Sequence, residues 1–148
     1  MRRLRPVLAS LVASFAIATA TLSSASAAYP GENGRLAFGV RGDNGVAITT
    51  VRADGSGLRS LTSGNVFDAC AAYSADGQRI AFCSNASGAF EIWSMRQNGT
   101  GRHQVTHLGG YAIFPDYSPS GRRIAFSGAE GVDPNDEIYT VDAATGGS

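Results

Sequence analysis

The stretch Tyr73-Ser74-Ala75-Asp76-Gly77-Gln78-Arg79-Ile80-Ala81-Phe82 decides the fold, because the chain contains it three times. A later copy is Tyr117-Ser118-Pro119-Ser120-Gly121-Arg122-Arg123-Ile124-Ala125-Phe126. An earlier one is Tyr29-Pro30-Gly31-Glu32-Asn33-Gly34-Arg35-Leu36-Ala37-Phe38. Both intervals are 44 residues. The likeness continues downstream. Ile48-Thr49-Thr50-Val51 matches Ile92-Trp93-Ser94-Met95, and Leu61-Thr62 matches Val105-Thr106. The third counterpart, Ile138-Tyr139-Thr140-Val141, arrives two residues late, after a longer loop. A fixed period of this length marks a repeat architecture, in which each unit buries its apolar faces against its neighbours.

Each unit holds four strand-like runs. The first ends at the Tyr (Asp68 to Tyr73, Ala112 to Tyr117). The second alternates, so that Leu36 and Phe38, Ile80 and Phe82, and Ile124 and Phe126 each share a face at period two. The third lies near Val46 to Arg52 and Phe90 to Arg96, the fourth near Leu58 to Thr62 and Arg102 to Thr106. Turn residues bound every run, and no later stretch has helical periodicity. Four antiparallel strands per repeat of this length predict the blade of a β-propeller. A β-sandwich would not require the strict period. The expected fold is all-β, a propeller fragment of about two and a half four-stranded antiparallel blades starting at residues 29, 67 and 111. Propellers close with about four to eight blades. The chain stops at the Gly146-Gly147-Ser148 turn, so a truncated product, or several copies sharing one ring, is expected.

The three copies resemble the WD40-like (PD40) repeats of TolB-type propellers, whose pattern is roughly aromatic-Ser-Pro-Asp-Gly-basic-basic-Ile-Ala-Phe. Tyr stands where Trp is commoner, and no copy carries the full Ser-Pro-Asp-Gly. The resemblance covers Tyr29 to the end. It implies a general TolB-like propeller; TolB itself carries an α/β domain ahead of its propeller, and with a signal ending about one residue before blade one no such domain is expected here.

Residues 1–27 read as a secretory signal: three Arg by residue 5, an apolar or small stretch from Pro6 to Leu22, and Ala25-Ser26-Ala27 as cleavage site, with Ser26-Ala27-Ala28 also fitting. The apolar stretch is diluted by Ser, Thr and Ala and falls short of a membrane span. A secreted or periplasmic location is expected, with no transmembrane anchor in the mature chain. All 12 basic residues are Arg, and three of them lie in the signal. Nine Arg then face 12 acids. That mildly acidic balance argues against nucleic acid, which selects a basic face.

Candidate sites are sparse. There is no Gly-x-Ser-x-Gly elbow, and no catalytic residue, cofactor or metal is expected. His103 and His107 would share a strand face, but no Cys, Asp or Glu in that segment completes a tetrahedral set. Asp133, Asn135, Asp136 and Glu137 offer hard oxygens in the long third-blade loop, without calcium-loop spacing. Asn85 and Asn98 open glycosylation sequons. The innermost strands should line a channel, where Asp116, beside Pro115, and Asp68 are the candidate ligand carboxylates; Asp116 could equally cap a backbone N–H. Cys70 and Cys83 are the only cysteines. If Asp76-Gly77 is the hairpin tip, they face one another directly and can form a disulfide. A register one residue shorter would place them on opposite faces.

The expected function is a non-catalytic exported propeller presenting loops and a channel mouth to a protein or glycan. The alternative is the propeller part of a larger hydrolase, such as a prolyl-oligopeptidase-like serine peptidase, or a propeller-based polysaccharide lyase. Exported material should begin at Ala28 or Tyr29 on N-terminal sequencing. An intact Met1 in a membrane fraction would contradict that.

Overall fold

The computed structural model describes residues 34–132 and 135–145. Tyr29, the signal segment, Asp133 and the last turn lie outside the described residues. Ten strands are present and no helix is found among the described residues: β1 (Arg35–Arg41), β2 (Val46–Arg52), β3 (Arg59–Ser60), β4 (Asp68–Tyr73), β5 (Arg79–Ser84), β6 (Glu91–Arg96), β7 (His103–Gln104), β8 (Tyr111–Tyr117), β9 (Arg123–Ala129) and β10 (Glu137–Asp142). They form three antiparallel sheets ordered β1-β2-β3, β4-β5-β6-β7 and β10-β9-β8. This is a partial propeller, with β4 and β8 as the edge strands of the second and third blades.

The repeated residues are the ones that close each hairpin. In the turn between the first two strands of a blade, Ser74 N–H donates to Arg79 O at 3.0 Å and Gly77 N–H to Ser74 O at 2.8 Å. Ser118, Arg123 and Gly121 repeat both bonds at 2.8 Å. Gly77 and Gly121 sit at φ of 68° and 69°, the left-handed region that an L side chain disfavours. Asp76 Oδ1 accepts from Ser74 Oγ at 2.6 Å and from Gln78 N–H at 3.0 Å. The Ser74 bond is the main reason that its carboxyl is held below the ordinary value. In the third blade the Ser120 hydroxyl takes the same place beside Ser118, at 3.2 Å. An acceptor there is what the turn needs, so Asp and Ser interchange.

The fourth strands are shorter than the sequence pattern suggests, two residues each. The Leu61-Thr62 and Val105-Thr106 pairs explain the stop. Leu61 N–H donates to Ile48 O and Val105 N–H to Ile92 O, both at 2.7 Å. The next donor on the partner strand is then satisfied by a side chain: Ile48 N–H donates to Thr62 Oγ1 at 3.0 Å and Ile92 N–H to Thr106 Oγ1 at 2.8 Å. A threonine hydroxyl thus replaces the next rung of the ladder.

Packing between blades follows the alternation of the second strand. Ile80 and Phe82 join Met95 and Ile48 in one core between the first two blades. Ile124 and Phe126 join Ala81, Cys83, Ile92 and Tyr117 in the core between the second and third. The bulky face therefore packs on the preceding blade, and the Ala81 face on the following one. The same repeat position changes exposure when the neighbour is missing. Ile80 and Ile124 are 0% exposed, whereas Leu36 is 59% exposed. On the other flank Ile48 and Ile92 are 0% exposed, and Ile138 is 77% exposed.

One ion pair crosses the second blade. Asp68, fully buried, accepts a two-point fork from Arg102, at 3.0 and 3.1 Å. Arg102 also donates to Ser84 Oγ at 2.9 Å, and its guanidinium stacks over Trp93 and Phe82, 4.8 and 5.2 Å from the ring centres. Hydrogen bonds and two aromatic faces compensate the desolvation that makes a buried charge costly.

Equivalent substitutions should therefore have unequal effects. Ile80→Ala should cost about 2–5 kcal/mol of stability as a buried large-to-small change, and Leu36→Ala under about 1 kcal/mol as a mostly exposed one. Arg102→Ala, which strands a buried carboxylate, should cost about 3–5 kcal/mol. Denaturant melts check all three. Equal losses at residues 36 and 80 would refute the packing scheme.

Candidate functional site

The inner edge strands carry the one repeated irregularity of the backbone. In β4 the register runs Tyr73↔Ile80 and Ala72↔Ala81, then shifts to Ala69↔Cys83 and Asp68↔Ser84. In β8 it runs Tyr117↔Ile124 and Asp116↔Ala125, then shifts to Ile113↔Ser127. The bulged residues are Cys70 and Phe114, at φ of 55° and 54°, 44 positions apart. Among the described residues no other non-glycine has a positive φ. A side chain in that conformation costs of order 1–3 kcal/mol, and such strain concentrates where a strand must re-aim a side chain.

The bulge corrects the expected cysteine pairing. A tip at Asp76-Gly77 predicts Cys70 opposite Cys83, and the pairs next to the turn do follow that register. The extra residue then makes Ala69 the partner of Cys83. The one-residue slip should have put the two sulfurs on opposite faces. Instead the left-handed backbone at Cys70 turns its side chain back, and the two Sγ atoms lie 2.6 Å apart. Cys83 Sγ–H donates to Cys70 Sγ. This contact lowers the Cys70 thiol to about 6 against opposing burial, and the backbone N–H of Phe114 adds to the effect. The same contact, with burial, pushes the Cys83 thiol up. The contact thus favours ionisation at Cys70 over Cys83.

The bulge in β8 does something different. Phe114 is 68% exposed. It is followed by buried Pro115, exposed Asp116 and buried Tyr117. Tyr117 Oη is anchored against Ser94 Oγ of the second blade at 3.1 Å, and burial raises its phenol above the ordinary value. An aromatic ring and a carboxylate thus stand out on the edge strand between buried anchors. Proline is compatible with an edge, where its missing N–H leaves no rung unfilled.

The remaining sequence candidates are placed as follows. Asp68 lies at the far end of β4, where Arg102 engages both of its carboxylate oxygens. His103 begins β7, with Nδ1 3.1 Å from Gly101 O. His107 lies beyond that two-residue strand, so the expected shared strand face does not form. Asp133 is outside the described residues. Asn135, Asp136 and Glu137 are exposed, and Asp136 accepts a hydrogen bond from Tyr111 Oη. No group of three or more His, Cys, Asp or Glu side chains that could hold a metal occurs among the described residues. Asn85 Oδ1 accepts from Phe67 N–H at 2.9 Å, 18 residues away in the segment before β4, and Asn98 Oδ1 from Thr100 N–H at 3.0 Å within its own turn, so both sequon side chains are engaged by backbone. The sequence reading missed the bulge and with it Phe114. Phe114 stands 44 residues after Cys70 in the repeat, but the extra residue that re-aims both side chains shows only in the strand register.

Comparison with known proteins agrees with this architecture. A family model described as the TolB beta propeller domain matches residues 8–148. No curated protein matches the chain. Among solved structures, a protein described as TolB from Agrobacterium tumefaciens superposes with a TM-score of 0.69 at 24% identity, over 77% of this chain and 43% of that one. TolB from Acinetobacter baumannii gives 0.65 at 24% identity, over 80% of this chain and 30% of that one. A chain of a nidogen/laminin complex gives 0.57 at 14% identity, over 70% and 38%. The chain thus spans less than half the length of each, and at these identities the likeness is one of fold. The family match, the repeat and the blade geometry coincide, and the chain belongs to the TolB beta propeller domain family.

Proposed function

We propose that this chain is an exported, non-catalytic propeller that binds a protein partner through its inner edge strands. The observation that supports this best is the pair Phe114 and Asp116. An exposed aromatic held by a strained backbone, with a carboxylate two residues on, gives a rigid apolar anchor beside a charged group. Such anchors dominate protein interfaces. Asp116 serves here as the charged contact. Glycan binding through the same edge is the competing outcome. Export follows from the N-terminal signal read in the sequence. The lack of a Gly-x-Ser-x-Gly elbow supports a binding role over acyl transfer.

We also propose that Cys70 and Cys83 are joined in the exported protein. The Cys70 thiolate attacks a low-molecular-weight disulfide, releasing one thiolate. The Cys83 thiol then loses its proton and displaces the second, forming the Cys70–Cys83 bond and reducing the small disulfide to two thiols. The bridge would fix the β4 bulge against β5 of its own sheet. It would add about 2–3 kcal/mol by closing a short loop.

A photo-crosslinking residue at position 114 should trap a defined exported protein. Phe114→Ala and Asp116→Ala should each weaken that complex about tenfold or more, the scale of an interface hot spot. Capture that ignores both substitutions, or glycan binding that depends on them, would contradict the reading. Exported material should be two hydrogens lighter by intact mass before reduction than after it. Two thiols alkylated without reductant would show that the bridge does not form.

A further inference from the structure

The overall acidic balance hides a local accumulation of positive charge. Arg35, Arg52, Arg59 and Arg96 line one open cleft of about 510 Å³ between the first and second blades, with Gln97 and Asn98 on its polar wall. No carboxylate lines it among the described residues. The cleft shares no residue with β4 or β8, so it is independent of the partner surface proposed above.

The strand register brings two of these charges together and sets Arg96 opposite an arginine outside the cleft. Arg35 is the direct partner of Arg52 across β1–β2, and Arg79 of Arg96 across β5–β6. Like charges directly opposed destabilise a strand pair. In the third blade the corresponding partners are Arg123 and Asp142, of opposite sign. The position accepts an acid, and the two blades that form the cleft carry arginine there instead.

Neutral acceptors hold these side chains in place without cancelling their charge. Arg35 donates to Thr50 Oγ1 at 3.1 Å, to Thr50 O at 3.2 Å and to Gly57 O. Arg59 Nη2 reaches across to Asn98 O of the second blade at 3.2 Å. The guanidinium groups of Arg35 and Arg52 meet at Gly57. A Cβ on residue 57 would lie 2.6 Å from Arg52 Nη1 and 3.4 Å from Arg35 Nη1. Asp54, on the adjoining turn outside the cleft lining, interacts with Arg52 electrostatically and offsets part of that one charge, while its Oδ1 accepts from Ser56 N–H at 2.9 Å.

Arginine recognises planar and tetrahedral oxyanions through its two-point fork. A carboxylate offers two oxygens and matches one fork. A phosphate monoester offers three oxygens and nearly two charges, and so accepts more than one guanidinium. Two guanidinium groups meeting at one point, with two further arginines in the same cleft, suit clustered phosphates. We propose that this cleft binds a ligand bearing two or more phosphate groups, with Arg35 and Arg52 sharing one and Arg59 and Arg96 facing another.

Calorimetric titration of the exported chain with inorganic pyrophosphate at low salt tests this. Saturable binding should weaken at least tenfold in Arg52→Gln and in Arg96→Gln, and stay unchanged in Arg41→Gln, outside the cleft. Both cleft side chains are exposed, so the variants should melt with the parent; if either does not, Arg59→Gln takes its place. Sedimentation with phosphatidylcholine vesicles containing phosphatidic acid separates the two sources. Arginine-dependent vesicle binding assigns the phosphates to a lipid headgroup, and pyrophosphate binding alone assigns them to a soluble ligand. No binding to either, binding indifferent to the arginines, or polyglutamate binding as tightly as pyrophosphate would overturn the proposal.

Discussion

A second strand whose bulky face must be covered by the blade before it governs this molecule. Ile80 with Phe82, and Ile124 with Phe126, are apolar on a face that their own sheet cannot hide. A four-stranded sheet has two faces and no interior, so each blade is buried only by its neighbours. Burying one such side chain is worth about 1.5–3 kcal/mol. The middle blade, covered on both sides, therefore holds the chain together. The flanks at Leu36 and Ile138 show the same chemistry uncovered.

Given that constraint, the other repeated residues fall into place as devices for keeping each sheet flat against the next. The serine and glycine of the inner turn close it within five residues. The threonine after the fourth strand supplies one acceptor and ends the ladder, so the outer edge stays short. Short edges resist further strand pairing. Asp68 and Arg102 tie the inner end of the second blade to its outer turn, and the guanidinium fills the space over Phe82 and Trp93. On the inner edge the bulge interrupts this regularity at the same position in two blades. It turns Cys70 toward its own sheet and Phe114 toward solvent.

The fold was legible because it is written in a period. Tyr, Ser, Gly, Ile and Phe recur at one interval, and alternation identifies the strand that packs. The site was legible only in part. Asp116 and the two cysteines stood out as residue types. Their geometry depended on an extra residue in β4 that a hairpin count from the turn does not contain. Asp68 read as a channel carboxylate because its strand lies at the axis. Its partner, Arg102, comes from the opposite edge of the sheet, 34 residues away, and no local pattern announces that contact. The arginine cleft escaped for a similar reason: its four charges lie at the ends of four strands in two blades, and the net charge averages them away.

Hydrogen exchange of the backbone amides, resolved by strand, tests the central claim most directly. Opening free energies should follow the coverage of each blade. Amides of β5 and β6, including Ile80, Phe82 and Ile92, should exchange slowest, and those of β1 and β10 markedly faster despite equally regular ladders. Protection in β1 and β10 equal to that in β5 would mean that the sheets are stable without their neighbours, and would contradict the account.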